Sequence, residues 1–247
     1  MKNLALVLLV LSLFSGSRTH AQEPGRWHAA LFTGITTPLH DIRRAEWVSN
    51  ADLRYQLGAH LEYWHQWPIG ARLQLSRGQV HGMVLDTAYL SRLGYPSGLN
   101  SQTEFNELSL QLQLNVTGWA NRILGKAQAN NRFHLYTAIG LGVNNFEVRV
   151  RDMATGLYLP DSVMQVKNGR SCSLPFSLGI SYKVRPNFHI NVQGNMHFLH
   201  TDHFDGWANT RLGDTEPRFG RGFDRYASGQ ISFVFLLGKG NSVYWTQ

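Results

Sequence analysis

Residues 107–116 read Glu-Leu-Ser-Leu-Gln-Leu-Gln-Leu-Asn-Val, and this stretch decides the fold. Its aliphatic residues occupy every even position from Leu108 to Val116, and polar residues occupy every odd position between Glu107 and Asn115. A helix would mix the two sets on every face, whereas a β-strand places them on opposite faces. The stretch therefore predicts a strand with one bulky apolar face and one polar face.

The same alternation recurs along the rest of the chain, with two weaker cases. The further segments are 27–35, 53–64, 71–76, 133–144, 173–184, 188–198 and 227–237, of which 27–35 and 71–76 are the weaker. A tilted strand needs about 9–11 residues to cross a bilayer, and most of these segments have that length. Together they predict an all-β domain, an eight-stranded antiparallel up-and-down barrel.

The two faces of these strands indicate which side meets lipid. An eight-stranded barrel has an interior just wide enough for side chains to fill, and bulky residues from every strand would overfill it. Small and polar residues fit that space, so we expect the bulky face to point into lipid. A soluble lipocalin-like barrel, with the bulky face inward, is the alternative. If the bulky face points outward, arginine at Leu112 or Ile139 impairs insertion, whereas alanine at Gln111 or Gly140 has a milder effect.

Residues 1–21 have the features of a secretory signal peptide. Lys2 precedes an apolar run, and Thr19-His20-Ala21 resembles a cleavage site. The apolar run has about half of the roughly 20 residues that a membrane helix needs. We therefore expect an exported chain cut after Ala21, leaving a barrel of residues 22–247 with a short periplasmic C-terminal tail.

Composition narrows the class further. Only 16% of the residues are charged, below the roughly 25% of soluble domains, and the formal net charge is +7. An exported chain of this kind without a long apolar helix can enter a membrane only as a closed β-barrel. Export excludes nucleic acid as a partner. A basic surface suits outer-membrane lipid and lipopolysaccharide phosphates or an acidic protein, unless its charges are simply solvated. With Cys172 as the only cysteine, an intramolecular disulfide is excluded.

The connections alternate between short and long, as they do in outer-membrane barrels. Two tight turns carry proline, residues 67–69 and 185–187. We place the short turns in the periplasm and the long polar segments outside; the latter are Leu39–Asp52, Gln79–Glu104, Arg151–Arg170 and Leu199–Arg225. Aromatic residues predict a girdle on the periplasmic side: Trp27, Trp67, Trp119, Phe133, Tyr182 and Phe188.

The segments Glu107–Val143 and Ser173–Trp207 resemble strands of small outer-membrane barrels of Bacteroidota. The second contains a Pro-Phe-x-Leu-Gly strand, a short turn and a Thr-Asp-x-x-Asp loop entry. Relatives include the OmpA-like barrel that precedes a peptidoglycan-binding domain and a small barrel associated with type IX secretion. The resemblance implies the same barrel fold in the outer membrane. The chain ends soon after its last predicted strand, so we expect no peptidoglycan-binding domain.

Two sets of residues are candidates for function. The inward face carries ionisable residues that predict a polar network in the lumen, where buried polar groups must find partners: Arg54, His60, Glu62, Arg72, Glu107, His134, Lys183, His189 and His197. The long periplasmic connection Gly118–Arg132 combines basic and apolar residues and is a candidate partner site: Trp119, Arg122, Ile123, Leu124, Lys126 and Arg132. This connection would serve as a docking surface for a periplasmic envelope protein, or as a short helix lying on the membrane.

Three functions remain open at this point. The first is a non-enzymatic anchor or assembly component of the envelope, without a cofactor or metal, in a secretion apparatus if the resemblance holds. The second is an enzyme that modifies lipid A, for which His197, His200, His203 and Ser228 supply residue types but no motif. The third is a small pore. We prefer the first, because no catalytic arrangement is evident in the sequence.

Overall fold

The structure is a computed structural model that describes residues 26–39, 53–66, 68–84, 99–124, 132–158, 168–185, 187–201, 204 and 224–237. The elements are β1 Arg26–Pro38, β2 Arg54–Gln66, β3 Ile69–Val84, β4 Leu99–Asn115, α1 Val116–Ile123, β5 Phe133–Asp152, β6 Asn168–Arg185, β7 Phe188–Leu199 and β8 Arg225–Leu237. The expected signal peptide lies outside the described residues, and its cleavage stays a prediction.

The eight strands form one closed sheet. Each strand pairs antiparallel with the next, and β8 returns to pair with β1. In the register, Leu110 on β4 lies between Leu73 on β3 and Leu141 on β5. Closure leaves the barrel wall without a free strand edge, which is the condition for spanning lipid with strands. The predicted fold class is confirmed.

Bulky apolar residues cover the outside of the barrel, and polar residues fill the inside. Leu110 is 62% exposed and Leu141 is 72% exposed, whereas their neighbour Gln111 is 2% exposed. The same contrast runs around the wall, because each strand alternates between the two faces. The lipocalin-like alternative, which needed the bulky face inside, is therefore wrong for these strands.

The ends of β3, β4, β5 and β6 that meet the long connections, which we expect to be extracellular, are longer than the sequence patterns predicted. We expected β3 to end before Arg77, but it continues to Val84 and pairs there with Leu99 of β4. The predicted loops Gln79–Glu104 and Arg151–Arg170 are shorter at both ends for the same reason. The cause is that the outward apolar pattern stops while each strand continues. In β3, β4 and β5 the polarity also inverts: beyond that point apolar residues such as Val80, Phe105 and Phe146 are buried inside.

The outward apolar pattern ends on one line across four neighbouring strands. The last outward apolar residues are register partners: Leu75, Leu108, Val143 and Cys172. The next outward residues are also partners, and we call them the boundary row: Arg77, Asn106, Asn145 and Arg170. Above this row Phe146, Val148 and Val150 of β5 are buried inside. The row therefore marks the outer limit of the lipid-facing surface.

At the opposite end of the barrel, aromatic pairs surround the wall. The ring centroids of Trp27 and Tyr63 lie 4.8 Å apart, as do those of Phe133 and Tyr182. This arrangement fits the girdle expected at the periplasmic interface, although Trp67 lies outside the described residues. Val116, which we expected in a strand, begins α1 instead. No helix among the described residues has the length and apolarity to cross a membrane.

Candidate functional site

The first cluster in the lumen is built around Glu62 of β2. Its Oε1 atom accepts hydrogen bonds from Arg72 Nε at 3.0 Å and Arg72 Nη2 at 2.7 Å. It also lies 3.1 Å from His60 Nε2 and accepts from Gln113 Nε2 at 3.2 Å. Trp64 Nε1 donates to the other oxygen, Oε2, at 3.2 Å. Glu62 is fully buried and Arg72 is 1% exposed, so this is a desolvated ion pair with its remaining lone pairs occupied.

The Glu62 cluster continues across the lumen through neutral side chains. Arg72 Nη1 donates to Gln193 Oε1 at 2.9 Å, and the Tyr136 hydroxyl donates to the same oxygen at 2.7 Å. Gln193 Nε2 donates to Gln230 Oε1 at 2.9 Å, and Gln230 Nε2 donates to Gln56 Oε1 at 3.0 Å. These residues belong to β2, β3, β5, β7 and β8, so the chain of hydrogen bonds joins opposite sides of the wall.

The second cluster lies nearer the end of the barrel that carries the long connections, around Glu107 of β4. Three groups meet its Oε2 atom: Asn144 Nδ2 at 2.6 Å, the Tyr226 hydroxyl at 3.0 Å and His197 Nδ1 at 3.1 Å. The His197 ring also stacks on the Tyr226 ring, with centroids 4.2 Å apart. All four residues are buried. The carboxylate therefore ties β4, β5, β7 and β8 together from inside.

Aromatic rings cover the Glu107 cluster from above. Phe204 packs against Tyr226 with ring centroids 5.6 Å apart and against Phe146 at 5.2 Å. Phe204 follows β7 and is held by its own backbone: its N–H donates to Asp224 Oδ2 at 2.7 Å, and its carbonyl accepts from Thr103 Oγ1 at 2.5 Å. Since Phe204 is 2% exposed, it covers the cluster on the side of the long connections.

The remaining predicted lumen residues lie toward the two ends of the barrel. His134 and His189 are buried, and the His189 ring lies 6.0 Å from that of His28. Lys183 and Arg54 are partly exposed. The guanidinium of Arg54 donates to the Leu53 carbonyl at 3.2 Å. These four residues line the inward side, while the structure brings Glu62 together with Arg72 and Glu107 together with His197.

Sequence reasoning missed the neutral members of the network. Gln193 and Gln230 extend the Glu62 cluster across the lumen, and Tyr136 and Tyr226 contribute hydroxyl donors. All four occupy inward-facing alternate positions of their strands, as the ionisable residues do, and this alternation is what could have identified them. A search for every polar side chain on the inward positions would have found the two glutamines, but the tyrosines read equally well as filler.

The residues weighed for an enzyme do not form a triad in the described part of the chain. His197 has its acid in Glu107, but Ser228 Oγ accepts a hydrogen bond from Asn195 Nδ2 at 2.9 Å. His200 is exposed at the end of β7, and His203 lies outside the described residues. Within the described ranges, no group of three or more His, Cys, Asp or Glu residues is arranged to hold a metal ion.

The periplasmic candidate site is carried by α1. Asn115 Oδ1 accepts from the Gly118 N–H at 3.0 Å, which caps the helix, and Thr117 Oγ1 accepts from the Leu135 N–H at 2.8 Å, which ties it to β5. The apolar residues expected at this site are exposed: Trp119 by 51%, and Ile123 and Leu124 by 64% each. Arg132 is also exposed. The side chains of Arg122 and Lys126 lie outside what the structure describes.

A closed barrel with a lipid-facing apolar wall and a hydrogen-bonded polar interior is a transmembrane β-barrel of the outer-membrane type. The localisation expected from the sequence, the outer membrane, agrees with this class.

Three solved structures illustrate the likeness of fold. Ail, the attachment invasion locus protein of Yersinia pestis, is 10% identical, with 87% of this chain and 100% of that chain covered and a TM-score of 0.42. Neisserial surface protein A is 10% identical over 87% and 99%, with a TM-score of 0.45. A major outer membrane protein of Thermus thermophilus is 12% identical over 87% and 100%, also at 0.45. No family model and no curated protein matches the sequence.

Proposed function

We propose that this chain is a non-enzymatic outer-membrane barrel that acts as an envelope anchor or assembly component. The observation that supports it best is the filled lumen. The hydrogen bonds from Glu62 through Arg72 to Gln193 cross the interior, and the Glu107 cluster lies beneath a seal of aromatic rings. A lumen filled in this way is suited neither to conduct solutes nor to bind a substrate. We therefore assign the function to the outer surfaces of the barrel.

The surface proposed for assembly is the periplasmic connection Gly118–Arg132. Its helix α1 presents Trp119, Ile123 and Leu124 to solvent, and the connection carries the basic residues Arg122, Lys126 and Arg132. The apolar and basic residues of this connection together match a partner that has an acidic surface and an apolar centre. The occupant we propose is therefore an acidic periplasmic protein.

The resemblance to small barrels of Bacteroidota extends the proposal one step. One of those relatives is associated with the type IX secretion apparatus, and the likeness covers most of the chain from Leu108 to Trp207. Membership of a secretion apparatus would give the exposed helix a permanent partner. It would also account for a barrel whose lumen is filled and offers no channel through the membrane.

A photo-crosslinking amino acid at Ile123 tests the docking surface in intact cells. We expect a discrete protein adduct that is lost in the Arg122→Glu/Lys126→Glu variant, because charge reversal repels an acidic partner. The matched control reverses two arginines at the other end of the barrel, Arg149→Glu/Arg151→Glu, and should leave the adduct unchanged. Adducts with lipid alone, or a protein adduct that survives reversal at 122 and 126, would show that α1 lies on the membrane and would refute docking.

The topology needs a separate test. In a Cys172→Ser background, a single cysteine at Thr155, in the turn after β5, should react with a membrane-impermeant maleimide on intact cells. A cysteine at Arg132 should react only after the outer membrane is permeabilised. The reverse result would invert the barrel and move α1 to the cell exterior.

A further inference from the structure

Arginine occupies the first outward position beyond the apolar wall on three strands. Arg77 follows Leu75 on β3, Arg170 precedes Cys172 on β6, and Arg225 precedes Ala227 on β8. All three arginines are exposed. They therefore mark the extracellular edge of the lipid-facing surface at three points around the barrel.

Arg77 and Arg170 are the two ends of the boundary row, which contains hydrogen-bond donors and no acidic residue. The boundary row places Asn106 and Asn145 between Arg77 and Arg170, with each residue opposite the next in register. Neighbouring strands are about 4.8 Å apart, so the row is about 14 Å wide. Its arginine and asparagine side chains supply N–H groups side by side.

Local contacts hold Arg77 and Arg225 at the height of the boundary row and leave their guanidinium groups accessible to a ligand. Arg77 Nη2 lies 3.6 Å from Glu104 Oε2, yet the Arg77 side chain remains 60% exposed. The guanidinium carbon of Arg225 lies 5.6 Å from the Phe198 ring centroid, so the side chain packs along the top of the wall. No carboxylate contact is present at Arg170 or Arg225 among the residues the structure describes.

The periplasmic edge has a different composition. Its outward residues are mostly aromatic or aliphatic, among them Trp27, Phe133 and Phe188. Two described basic residues are exposed at that edge: Arg185 at the end of β6, and Arg132 directly before β5. Aromatic rings suit any headgroup region. Guanidinium groups, by contrast, select phosphates, which they bind through two parallel N–H bonds.

We infer that Arg77, Arg170 and Arg225 bind the phosphate groups of an anionic glycolipid in the outer leaflet. This inference rests on the proposed topology, in which the boundary row lies on the extracellular side. A lipid whose acyl chains lie against Leu75, Leu108 and Val143 carries its headgroup at the level of the row. Acyl contacts below and phosphate contacts above would then hold the same molecule.

The test titrates the purified full-length protein, in neutral detergent micelles, with diphosphoryl lipid A and counts bound lipid by native mass spectrometry. Each arginine near an anionic surface contributes about fivefold in affinity, so the Arg77→Gln/Arg170→Gln/Arg225→Gln variant should bind at least about tenfold more weakly. The wild type should also lose affinity as salt rises, and the variant less so. Dephosphorylated lipid A should bind both proteins equally.

A matched variant removes the same charge elsewhere: Arg149→Gln/Arg151→Gln/Arg185→Gln. It should bind like the wild type. Equal weakening in both triple variants would reduce the effect to net charge and overturn the site, as would equal binding of phosphorylated and dephosphorylated lipid A. Displacement of lipid A by inorganic phosphate would assign the arginines to free phosphate instead.

The folded state of each variant is checked by circular dichroism and by its gel mobility before and after heating. Should the glutamine variant not fold, Arg77→Lys/Arg170→Lys/Arg225→Lys retains the charge but not the planar guanidinium, and we expect intermediate binding; unchanged binding would refute recognition by guanidinium. The topology is read independently from cysteine labelling at Thr155. Failure of lipid binding with the expected labelling would refute the inference and leave the proposed function standing.

Discussion

Replacing Arg72 with methionine separates a buried charge from its partner. Glu62 is fully buried, and Arg72 donates two of the hydrogen bonds that reach its Oε1 atom. Breaking a buried ion pair by removing one partner costs about 3–5 kcal/mol, because the remaining charge is left uncompensated. The Trp64 and Gln113 donors that remain are neutral, so we expect the loss to fall within that range.

The assay is urea unfolding of the full-length protein folded into neutral detergent micelles or vesicles, followed by far-ultraviolet circular dichroism. The double variant Glu62→Gln/Arg72→Met should be more stable than Arg72→Met alone, since it removes the stranded charge as well. Arg77→Met is the control: its ion pair with Glu104 is largely exposed, and we expect a change below about 1 kcal/mol. An Arg72→Met loss as small as the control's would refute the view that Glu62 is a desolvated carboxylate held by Arg72.

Three other predictions follow from the wall, the lumen and the extracellular turn. Ile139→Arg, near the middle of the lipid-facing part of β5, should destabilise the barrel by about 2–4 kcal/mol in bilayers, whereas Asn145→Arg, six residues along on the same face, should change stability little, as urea unfolding in vesicles will show; equal effects would contradict the boundary row. Planar-bilayer recordings of the pure protein should show little steady conductance, and large stable steps would contradict a filled lumen. Asp152 accepts hydrogen bonds from the Ala154 N–H and the Thr155 hydroxyl, which lower its pKa, so these bonds stabilise the turn at neutral pH and are lost as acid protonates the carboxylate. Hydrogen exchange of the Gly156 amide should therefore accelerate below that pKa. An exchange rate that follows ordinary base catalysis at every pH would contradict this role of Asp152.

Much of the fold could be read from the sequence because lipid imposes one strict rule. Every residue that faces hydrocarbon must be apolar, so the period of two is clean in β4 and in the lower half of β5. Strand number, closure and the direction of the bulky face all follow from it. Closure itself needs no further signal, since an open edge is not tolerated in lipid.

Contacts inside the barrel could not be read in the same way. Parity places Glu62 and Glu107 in the lumen, but it does not say that Arg72 meets one and His197 the other. That choice depends on register and on which side chains cross the axis. Parity also gave no sign that a Cβ added at Gly140 would meet the Leu110 carbonyl and lie 2.8 Å from the Cα of Gln111 across the strand pair.

The parts of the strands that the sequence patterns did not predict lie beyond the boundary row, where the surroundings of the sheet change from lipid to water. In β5 the outward set changes from Val143 to Asn145, and one residue later the inward set changes from Asn144 to Phe146. Below that point lipid surrounds the wall and attracts apolar side chains outward. Above it water surrounds the wall, so apolar burial is favourable only on the inside.

The inversion explains how the lumen is closed at the end that carries the long connections. Below the boundary row, the interior is held by hydrogen bonds around Glu62 and Glu107, where each polar group needs a partner. Above it, Phe105, Phe146 and Phe204 bury their rings within the barrel mouth, as a soluble protein would bury its core. The ring of Tyr226 belongs to both regions, since it packs on Phe204 while its hydroxyl bonds Glu107. A strand pattern that reverses its polarity at a shared register line therefore predicts both the edge of the membrane and an apolar seal directly above it.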